Sequence, residues 1–349
     1  MGRKHRPVGG RSAMTIAFAP SVIDAETWNG QIADSAQVSL LQQWEYAAAK
    51  VATSAWTVER GYLSDGAVQI GAAQVLIRKL PFKLGGLAWI NRAPICFASA
   101  DPKIPHACIE ALARHYGQER GYYLRIAAPL PRDSGIGDAP SPSGWRMTAT
   151  PGWASARLDL TLPEDVLRKN LRANWRNKLR KAEQMEIEIT SGTAPDLFAR
   201  FIGLHKQFLA DKKFSTSVTV DFLENLQAIL PESRKMMVHT AAQQGELLSA
   251  VLIARYGKTC EYLAGSSADH ATGMPLGQLL LWQAIMEAKR QDYATFDLSG
   301  MEPGVTPKGI YDFKEGVNPL PYVLTNEIEA GYQGIVQKSL RAYVNRLRA

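Results

Sequence analysis

The 349-residue chain is long enough for two domains of ordinary size, and its 46% hydrophobic residues are typical of a globular protein, which excludes a disordered chain. No run approaches the roughly 18 uninterrupted apolar residues of a membrane-spanning helix, and no apolar core of signal-peptide length follows the basic N-terminus. The formal net charge of +7 favours an anionic partner: nucleic acid, a nucleotide diphosphate or an anionic membrane surface.

Cysteines and histidines give no sign of a metal site. Cys96, Cys108 and Cys260 have neither paired metal-ligand spacing nor an even count for disulfides, which predicts a reducing, cytoplasmic compartment. The histidines occur singly, and His205, His239 and His270 are predicted to be structural. No metal is expected.

The N-terminal half predicts an α+β domain over residues 15–150, behind a disordered basic tail over residues 1–14. Predicted in chain order are a helix over 35–52 capped by Ser35, strands over 56–63 and 67–79 joined by a hairpin turn at 64–66, a strand over 87–95, a helix over 104–120 and a strand over 122–127.

A proline-rich segment separates this half from the next. Five prolines lie between Pro129 and Pro151, which favours a loop or linker and sets a domain boundary at 150. A second domain is predicted over 151–330, and a helix over 331–349 that packs on the first domain. The elements predicted for the second domain are strands over 154–160, 187–190, 235–242, 247–256, 259–264 and 293–298 and helices over 168–181, 196–210, 220–230 and 276–289.

A row of arginines marks the predicted helix over 168–181. Arg168, Arg172, Arg176 and Arg180 recur every four residues, beside an apolar row at the same spacing. Like charges at this spacing repel by about a few tenths of a kcal/mol per pair, so an uncompensated row favours an anionic partner such as RNA phosphate. The alternative is a solvated helix face with partners elsewhere in the fold.

The stretch over 293–318 is predicted to hold the chemistry. A short strand ends at Leu298, and the glycines and prolines that follow predict an irregular loop over 299–309. Tyr311, Asp312, Phe313 and Lys314 come next. The alternative for these four residues is a surface turn with an ordinary lysine.

Several segments together resemble the FemAB family of peptidoglycan bridge-forming peptidyltransferases. They are LLQQWEYAAAK and INRAPI in the first half, and DLTLPEDVLRKNLRANWRNKLRKAEQMEIEI, YLAGSSADHATGMPLGQLLLWQAIMEAKRQDYATFDLSGM and GIYDFKEG in the second. The resemblance covers most of the chain in order. It implies an α+β fold of two tandem Gcn5-related N-acyltransferase (GNAT-like) domains, with mostly antiparallel sheets flanked by helices.

The resemblance also implies an activity, which is transfer of an amino acid from aminoacyl-tRNA to an amine of a UDP-linked or lipid-linked peptidoglycan precursor. No cofactor is implied, and a cytoplasmic enzyme with peripheral contact to an anionic membrane is expected. The implied catalytic residues are Lys314, Phe313 and Asp312; the substrate-binding residues are Lys50, Trp44, Lys212, Lys213 and Tyr311; and Arg168, Arg172, Arg176 and Arg180 are the tRNA-phosphate ligands.

Two departures limit what the resemblance implies. Asp211-Lys212-Lys213-Phe214 stands where the family pattern has an arginine before phenylalanine, and no long heptad-bearing insertion provides a coiled-coil arm. The general base also stays open among Asp297, Asp312 and Asp269, since an exposed aspartate of ordinary pKa is a poor base for an ammonium.

Two other classes of function remain open. One is an acyl-CoA-dependent N-acyltransferase acting on a cell-surface polysaccharide or small amine, with the loop over 273–277 binding the CoA pyrophosphate. The other is a non-catalytic RNA- or membrane-binding protein, favoured by the net charge and the basic helical ending QKSLRAYVNRLRA.

Overall fold

The computed structural model describes residues 15–97, 101, 103–212 and 218–348. The predicted tail over 1–14 and the predicted site residue Lys213 lie outside this part of the chain. Within the described ranges, no helix has the length and apolarity needed to cross a lipid bilayer.

The first half contains seven strands and three α-helices among the described residues. In chain order these are β1 (Ile16–Pro20), α1 (Ala25–Ala33), α2 (Trp44–Thr53), β2 (Thr57–Asp65), β3 (Val68–Lys79), β4 (Gly86–Asn91), β5 (Ile95–Cys96), α3 (Lys103–Leu112), β6 (Tyr122–Ala127) and β7 (Arg146–Met147). The helix α3 continues through Glu119 as a π-helical segment.

The second half alternates strands and helices up to a C-terminal helix. Its elements are β8 (Ala154–Asp159), α4 (Glu164–Asn170), α5 (Ala173–Glu183), β9 (Glu188–Gly192), α6 (Pro195–Lys212), α7 (Val220–Ile229), β10 (Met237–Gln243), β11 (Glu246–Tyr256), β12 (Thr259–Ser267), α8 (Leu276–Arg290), β13 (Thr295–Asp297), α9 (Lys308–Glu315), β14 (Leu320–Val323), β15 (Ile328–Ala330) and α10 (Ile335–Arg348).

These strands form two separate, mostly antiparallel sheets. The first has the order β1-β2-β3-β4-β6-β15-β7, with β5 added beside β3, and the second has the order β14-β8-β13-β12-β11-β10-β9. Among the described strands, only β4 with β6 and β12 with β13 run parallel. The predicted α+β architecture of two sheets flanked by helices is confirmed.

The strand β15 crosses between the halves. Ile328 and Ala330 pair with Ile126 and Leu124 of β6, in the first sheet, although the predicted limits assign residues up to 330 to the second domain. Beside it, the fully buried Arg125 donates from Nε to Glu327 at 2.8 Å. A buried guanidinium needs such a partner, so the last strand supplies charge as well as backbone pairing to the first sheet.

The predicted helix over 35–52 is wrong in its first part. Ser39 caps a single 3₁₀ turn over Leu40–Gln42, and the α-helix begins only at Trp44. The Gln42 side chain explains the break, because it accepts from the backbone N–H of Gln74 at 2.9 Å and donates to a strand carbonyl. Contacts to the sheet therefore override local helix propensity here.

The two halves dock through α2. Its buried Glu45 forms an ion pair with Arg234 of the second half at 2.8 Å, and the ammonium of Lys50 lies 4.3 Å from the ring centroid of Phe222 in α7. Burial of the Lys50 side chain at this contact lowers the pKa of its ammonium.

The buried His239 makes the stability of the second half depend on pH. It lies fully buried on β10, with Nδ1 2.7 Å from the Ser191 hydroxyl and no partner for Nε2 among the described residues. Burial lowers its pKa to about 4, so between pH 6.5 and about 4 only the unfolded chain binds a proton at this group. We expect acidification through this window to lower the free energy of unfolding by up to about 3 kcal/mol at this site.

The measurement is urea unfolding of the wild type and of His239→Gln at a series of pH values. The variant should lose this part of the acid destabilisation, while His270→Gln, at an exposed position, should keep it. Identical pH slopes for the wild type and His239→Gln would contradict the prediction.

Candidate functional site

The second sheet splits open between β12 and β13. These strands pair only over Thr259–Glu261 and Thr295–Asp297, and the chain beyond β13 then follows β8 instead, since the N–H groups of Leu298 and Met301 donate to Ala156 and Ala154. Within the described residues, the remainder of β12 has no paired strand on that side. A gap therefore begins next to Glu261 and Asp297.

Lys314 lies buried in this gap, with only 6% of its surface exposed. Its Nζ donates to the carbonyl oxygens of Ser299 and Gly300, both at 3.1 Å, and lies 5.5 Å from the ring centroid of Tyr262. An ammonium has three N–H donors, so one remains without a partner within the described residues. Burial lowers the pKa of Lys314 to about 8, against the opposing effect of the carboxylates of Asp297 and Glu261.

The helix α9 positions Lys314. The irregular loop predicted over 299–309 ends two residues too late, because α9 begins at Lys308, and the alternative of a surface turn over 311–314 is wrong. The indole of Trp175 in α5 donates to the Phe313 carbonyl at 3.0 Å, and a side chain at Gly316 would overlap that indole. This fit fixes α9 against α5.

Two buried carboxylates form the floor of the gap. Asp297 accepts hydrogen bonds from the Ser155 hydroxyl at 2.6 Å, the Tyr322 hydroxyl at 2.8 Å, Arg157 Nε at 3.0 Å and the Ser299 N–H at 2.8 Å. It is therefore saturated with donors, which is the condition under which a carboxylate can be buried in ionised form.

The second carboxylate, Glu261, is the register partner of Asp297 on β12. It accepts from the Tyr256 hydroxyl at 2.7 Å and the Ser299 hydroxyl at 2.9 Å. Burial raises the pKa of Glu261, and the negative charge of Asp297 raises it further. Ser299, whose φ of 56° is left-handed, thus contacts both carboxylates and Lys314.

Arg92 brings a positive charge to this cluster from the first half of the chain. It follows β4 with a left-handed φ of 58°, and its guanidinium lies 5.2 Å from the ring centroid of Trp153. Burial lowers the pKa of Arg92, and the charges of Glu261 and Asp297 oppose this shift. Sequence reasoning missed this residue, although INRAPI belonged to the resembling segments.

Of the residues predicted beside Lys314, Phe313 packs near it, against Tyr262, and Asp312 does not. The Phe313 ring lies 6.4 Å from the ring of Tyr262 and 6.5 Å from that of Trp175. Asp312 is exposed and forms a helix-surface ion pair with Lys308 at 2.6 Å, so it points away from the gap. Asp297, one of the three candidates for the general base, is the aspartate that the fold places beside the gap.

The predicted substrate-binding residues of the first half lie on α2. Trp44 is covered by the guanidinium of Arg60, 3.4 Å from its ring centroid, while the aromatic contacts of Lys50 are to Tyr46 and Phe222. Tyr311 is half-buried and packs against the hydrophobic core of the second half. Lys212 is the last residue of α6.

The prediction of one continuous helix with a row of arginines is wrong, because the helix breaks at Leu171 and Arg172 into α4 and α5. Arg168 forms an ion pair with Glu183 and Arg172 with Glu315, while Arg176 donates to the Lys169 carbonyl. Neither Arg176 nor Arg180 has a carboxylate partner within the described residues, and Arg180 is exposed. Lys178 and Lys181 are exposed near it.

Comparison with known proteins agrees with this architecture. Residues 169–315 match the family model described as "Acetyltransferase (GNAT) domain". The chain resembles the crystal structure of FemX, with a TM-score of 0.77 and 15% identity, over 93% of this chain and 99% of that one. No curated protein sequence matched.

Two further solved structures are similar over comparable lengths. The C-terminal domain of a putative lysylphosphatidylglycerol synthetase from Agrobacterium fabrum has a TM-score of 0.53 and 11% identity, covering 90% of this chain and 96% of that one. A tandem GNAT protein from the clavulanic acid biosynthesis pathway has a TM-score of 0.53 and 12% identity, covering 90% and 98%. The chain thus has the predicted FemAB-type fold of tandem GNAT-like domains, and the prediction of an acyltransferase is confirmed.

Proposed function

We propose that this acyltransferase moves an amino acid from aminoacyl-tRNA to an amine of a peptidoglycan precursor or related acceptor. The observation that carries the proposal is Lys314, which is buried where the sheet opens and is held by two carbonyls with one N–H donor left over. Similarity to FemX supports the substrate class. So does the likeness to a protein named for the synthesis of a lysyl lipid, because that name also describes transfer of an amino acid.

The reaction needs little covalent participation by the protein. The acceptor amine attacks the ester carbonyl of the aminoacyl group, a C–N bond forms, and the C–O bond to the terminal ribose breaks. The amine gives up a proton and the departing ribose oxygen gains one. Positioning the two substrates and stabilising the oxyanion supply most of the rate enhancement in such a reaction.

Lys314 serves in this proposal as the oxyanion donor. Its free N–H points the positive charge at the carbonyl oxygen on which negative charge develops, and burial makes that interaction stronger than it would be in water. Phe313 and Tyr262 keep water away from the ammonium by packing around it. Asp297 accepts from the backbone N–H of Ser299 and Glu261 from the Ser299 hydroxyl, and these bonds fix the carbonyl that holds Lys314.

The substrates are large anions, and exposed basic residues near the site are proposed to bind them. Lys178, Arg180 and Lys181 on α5 are proposed to contact tRNA phosphates together with Arg172 and Arg176, whose protein contacts would be exchanged on binding. Lys50 is proposed to hold the phosphates of the precursor, with Trp44 and Tyr311 as further substrate contacts. Because aminoacyl-tRNA is a cytoplasmic substrate, a cytoplasmic location is part of the proposal, and no cofactor is.

An acyl-CoA donor is the second candidate, and the acetyltransferase description of the matched family model favours it. The α8 helix, which begins at Leu276 behind Gly273, would bind the pyrophosphate of CoA. The Phe313 ring lies against Gly277 in the first turn of this helix.

The experiment that tests the proposal incubates the protein with a pool of tRNAs charged with labelled amino acids and a pool of peptidoglycan precursors, in parallel with labelled acetyl-CoA. Label is expected to move from tRNA to the precursor pool, and to stay on tRNA with Lys314→Ala. The matched control is Lys308→Ala, which removes an exposed lysine from the same helix. Transfer from acetyl-CoA alone would overturn the proposal in favour of the second candidate.

A further inference from the structure

Two segments far apart in the sequence meet at one edge of the first sheet. One is the turn over residues 81–85 between β3 and β4, and the other is the first turn of α10. A side chain built on Gly85 would lie 3.3 Å from Nε2 of Gln337, and this amide donates to the Gly121 carbonyl at 2.7 Å. The turn and the helix are therefore direct neighbours.

Large apolar side chains of this region face solvent. Phe82 at the tip of the turn is 93% exposed and Leu84 is 48% exposed, while on α10 the exposed fractions are 86% for Ile335 and 54% for Tyr343. Scattered exposed apolar residues are ordinary, but neighbouring ones of this size mark a surface that contacts something other than water.

The α10 helix presents this face while packing on the protein with the other. Val344 is buried and Leu340 half-buried against Leu87 and Tyr123, and Gln337 lies one turn before them on the same side. At 100° per residue, Ile335, Tyr343 and the basic residues Lys338 and Arg346 fall on the opposite side. The outward face therefore combines apolar and positive side chains.

The two segments that carry these side chains have charge of one sign. The sequence has no acidic residue between Asp65 and Asp101, and none after Glu329. Arg78, Lys79, Lys338 and Arg346 are exposed there, whereas Arg341 is used in an ion pair with Glu329. We name these four basic residues, with Phe82, Leu84, Ile335 and Tyr343, the turn–helix surface.

We infer that the turn–helix surface docks the protein on an anionic lipid bilayer. Phe82, Leu84 and Ile335 would enter the boundary between headgroups and acyl chains, and the basic side chains would lie at the level of the lipid phosphates. Charge alone would also suit RNA, but aliphatic side chains gain nothing from phosphates and much from acyl chains, which favours lipid. This surface is separate from the gap that holds Lys314, so the inference does not depend on the proposed reaction.

The test is sedimentation of the full chain with vesicles of phosphatidylcholine, with and without phosphatidylglycerol. The wild type is expected to bind only the anionic vesicles, and binding should weaken by at least ~10-fold in Phe82→Ser with Ile335→Ser. Replacing Lys79 and Lys338 by glutamate should weaken it by a similar factor, since each basic residue near an anionic surface contributes roughly fivefold. All four positions are exposed, so thermal unfolding should be unchanged.

Matched controls separate this surface from general stickiness and charge. Val22→Ser removes an equally exposed apolar side chain elsewhere, and Lys258→Glu reverses an exposed charge in the second half; both should bind as the wild type does. Equal binding to neutral vesicles, or wild-type binding by both double variants, would overturn the inference. Loss of tRNA binding with retained vesicle binding in the same variants would overturn it in favour of RNA.

Discussion

Lys314→Ala is expected to lower the rate of group transfer by about 10²- to 10³-fold, the usual effect of removing one oxyanion donor. The substrates should still bind within a few-fold of wild-type affinity, because the proposed interaction strengthens only as negative charge develops on the carbonyl oxygen. Single-turnover transfer with precharged tRNA measures the rate, and nitrocellulose retention measures tRNA binding. Lys308→Ala, on the exposed side of α9, should retain wild-type values for both.

The pH dependence of the transfer rate is a second test of the role of Lys314. Burial lowers the pKa of Lys314 to about 8 from 10.5, so the ammonium that the proposal requires is lost as the pH rises through about 8. The transfer rate should fall over that range, and any residual activity of Lys314→Arg should not, since a guanidinium stays charged. A rate that falls equally in both proteins, or that survives in Lys314→Ala, would remove Lys314 from the proposed role.

Asp297→Ala is expected to lower the free energy of unfolding by about 3–5 kcal/mol, because it removes the acceptor of four hydrogen bonds from a buried position. One of these donors is the Arg157 guanidinium, which would lose its carboxylate partner. Another is the N–H of Ser299, so the loop that holds Lys314 should loosen and transfer should be lost as well. Urea unfolding and the transfer assay measure the two effects.

The matched control for this prediction is Asp312→Ala. Asp312 lies in the same segment and was predicted from the sequence to be catalytic, but its ion pair with Lys308 is on the surface of α9. The structure therefore predicts wild-type stability and activity for this variant. Inactivation by Asp312→Ala with wild-type behaviour of Asp297→Ala would reverse the assignment of the two aspartates.

The elements that sequence patterns predicted best are those that alternate or repeat regularly. The hairpin of β2 and β3 and the strand β6 follow from period-two patterns and turn residues, and the long helix α8 follows from its apolar face. Patterns failed where side chains bind distant backbone, as Gln42 does. They failed again at Leu171 and Arg172, because the regular spacing of the arginines predicted one helix where the chain forms α4 and α5.

The residues of the candidate site also differ in how well the sequence predicts them. Lys314 was found because its segment resembles a family pattern, whereas its partners come from strands and loops that meet only in the folded sheet. Arg92 lies in INRAPI but was not singled out, and Glu261 carried no local signal, since a single charged residue in or just after a strand is common on protein surfaces. Their burial follows from the pairing of β12 with β13 and the docking of the two halves, which a linear pattern does not contain.

Because β15 lies near the end of the chain, the first sheet cannot be completed early in translation. A ribosome releases residues 15–150 long before Ile328–Ala330 exist, so until then β6 has an unpaired edge and the guanidinium of Arg125 has no Glu327 to meet. Contacts separated by about two hundred residues close slowly, and an open strand edge invites pairing with other chains in the meantime. The first sheet can thus reach its final form only after nearly the whole chain has been translated, and cutting the protein at the linker between its halves would not leave an intact first domain.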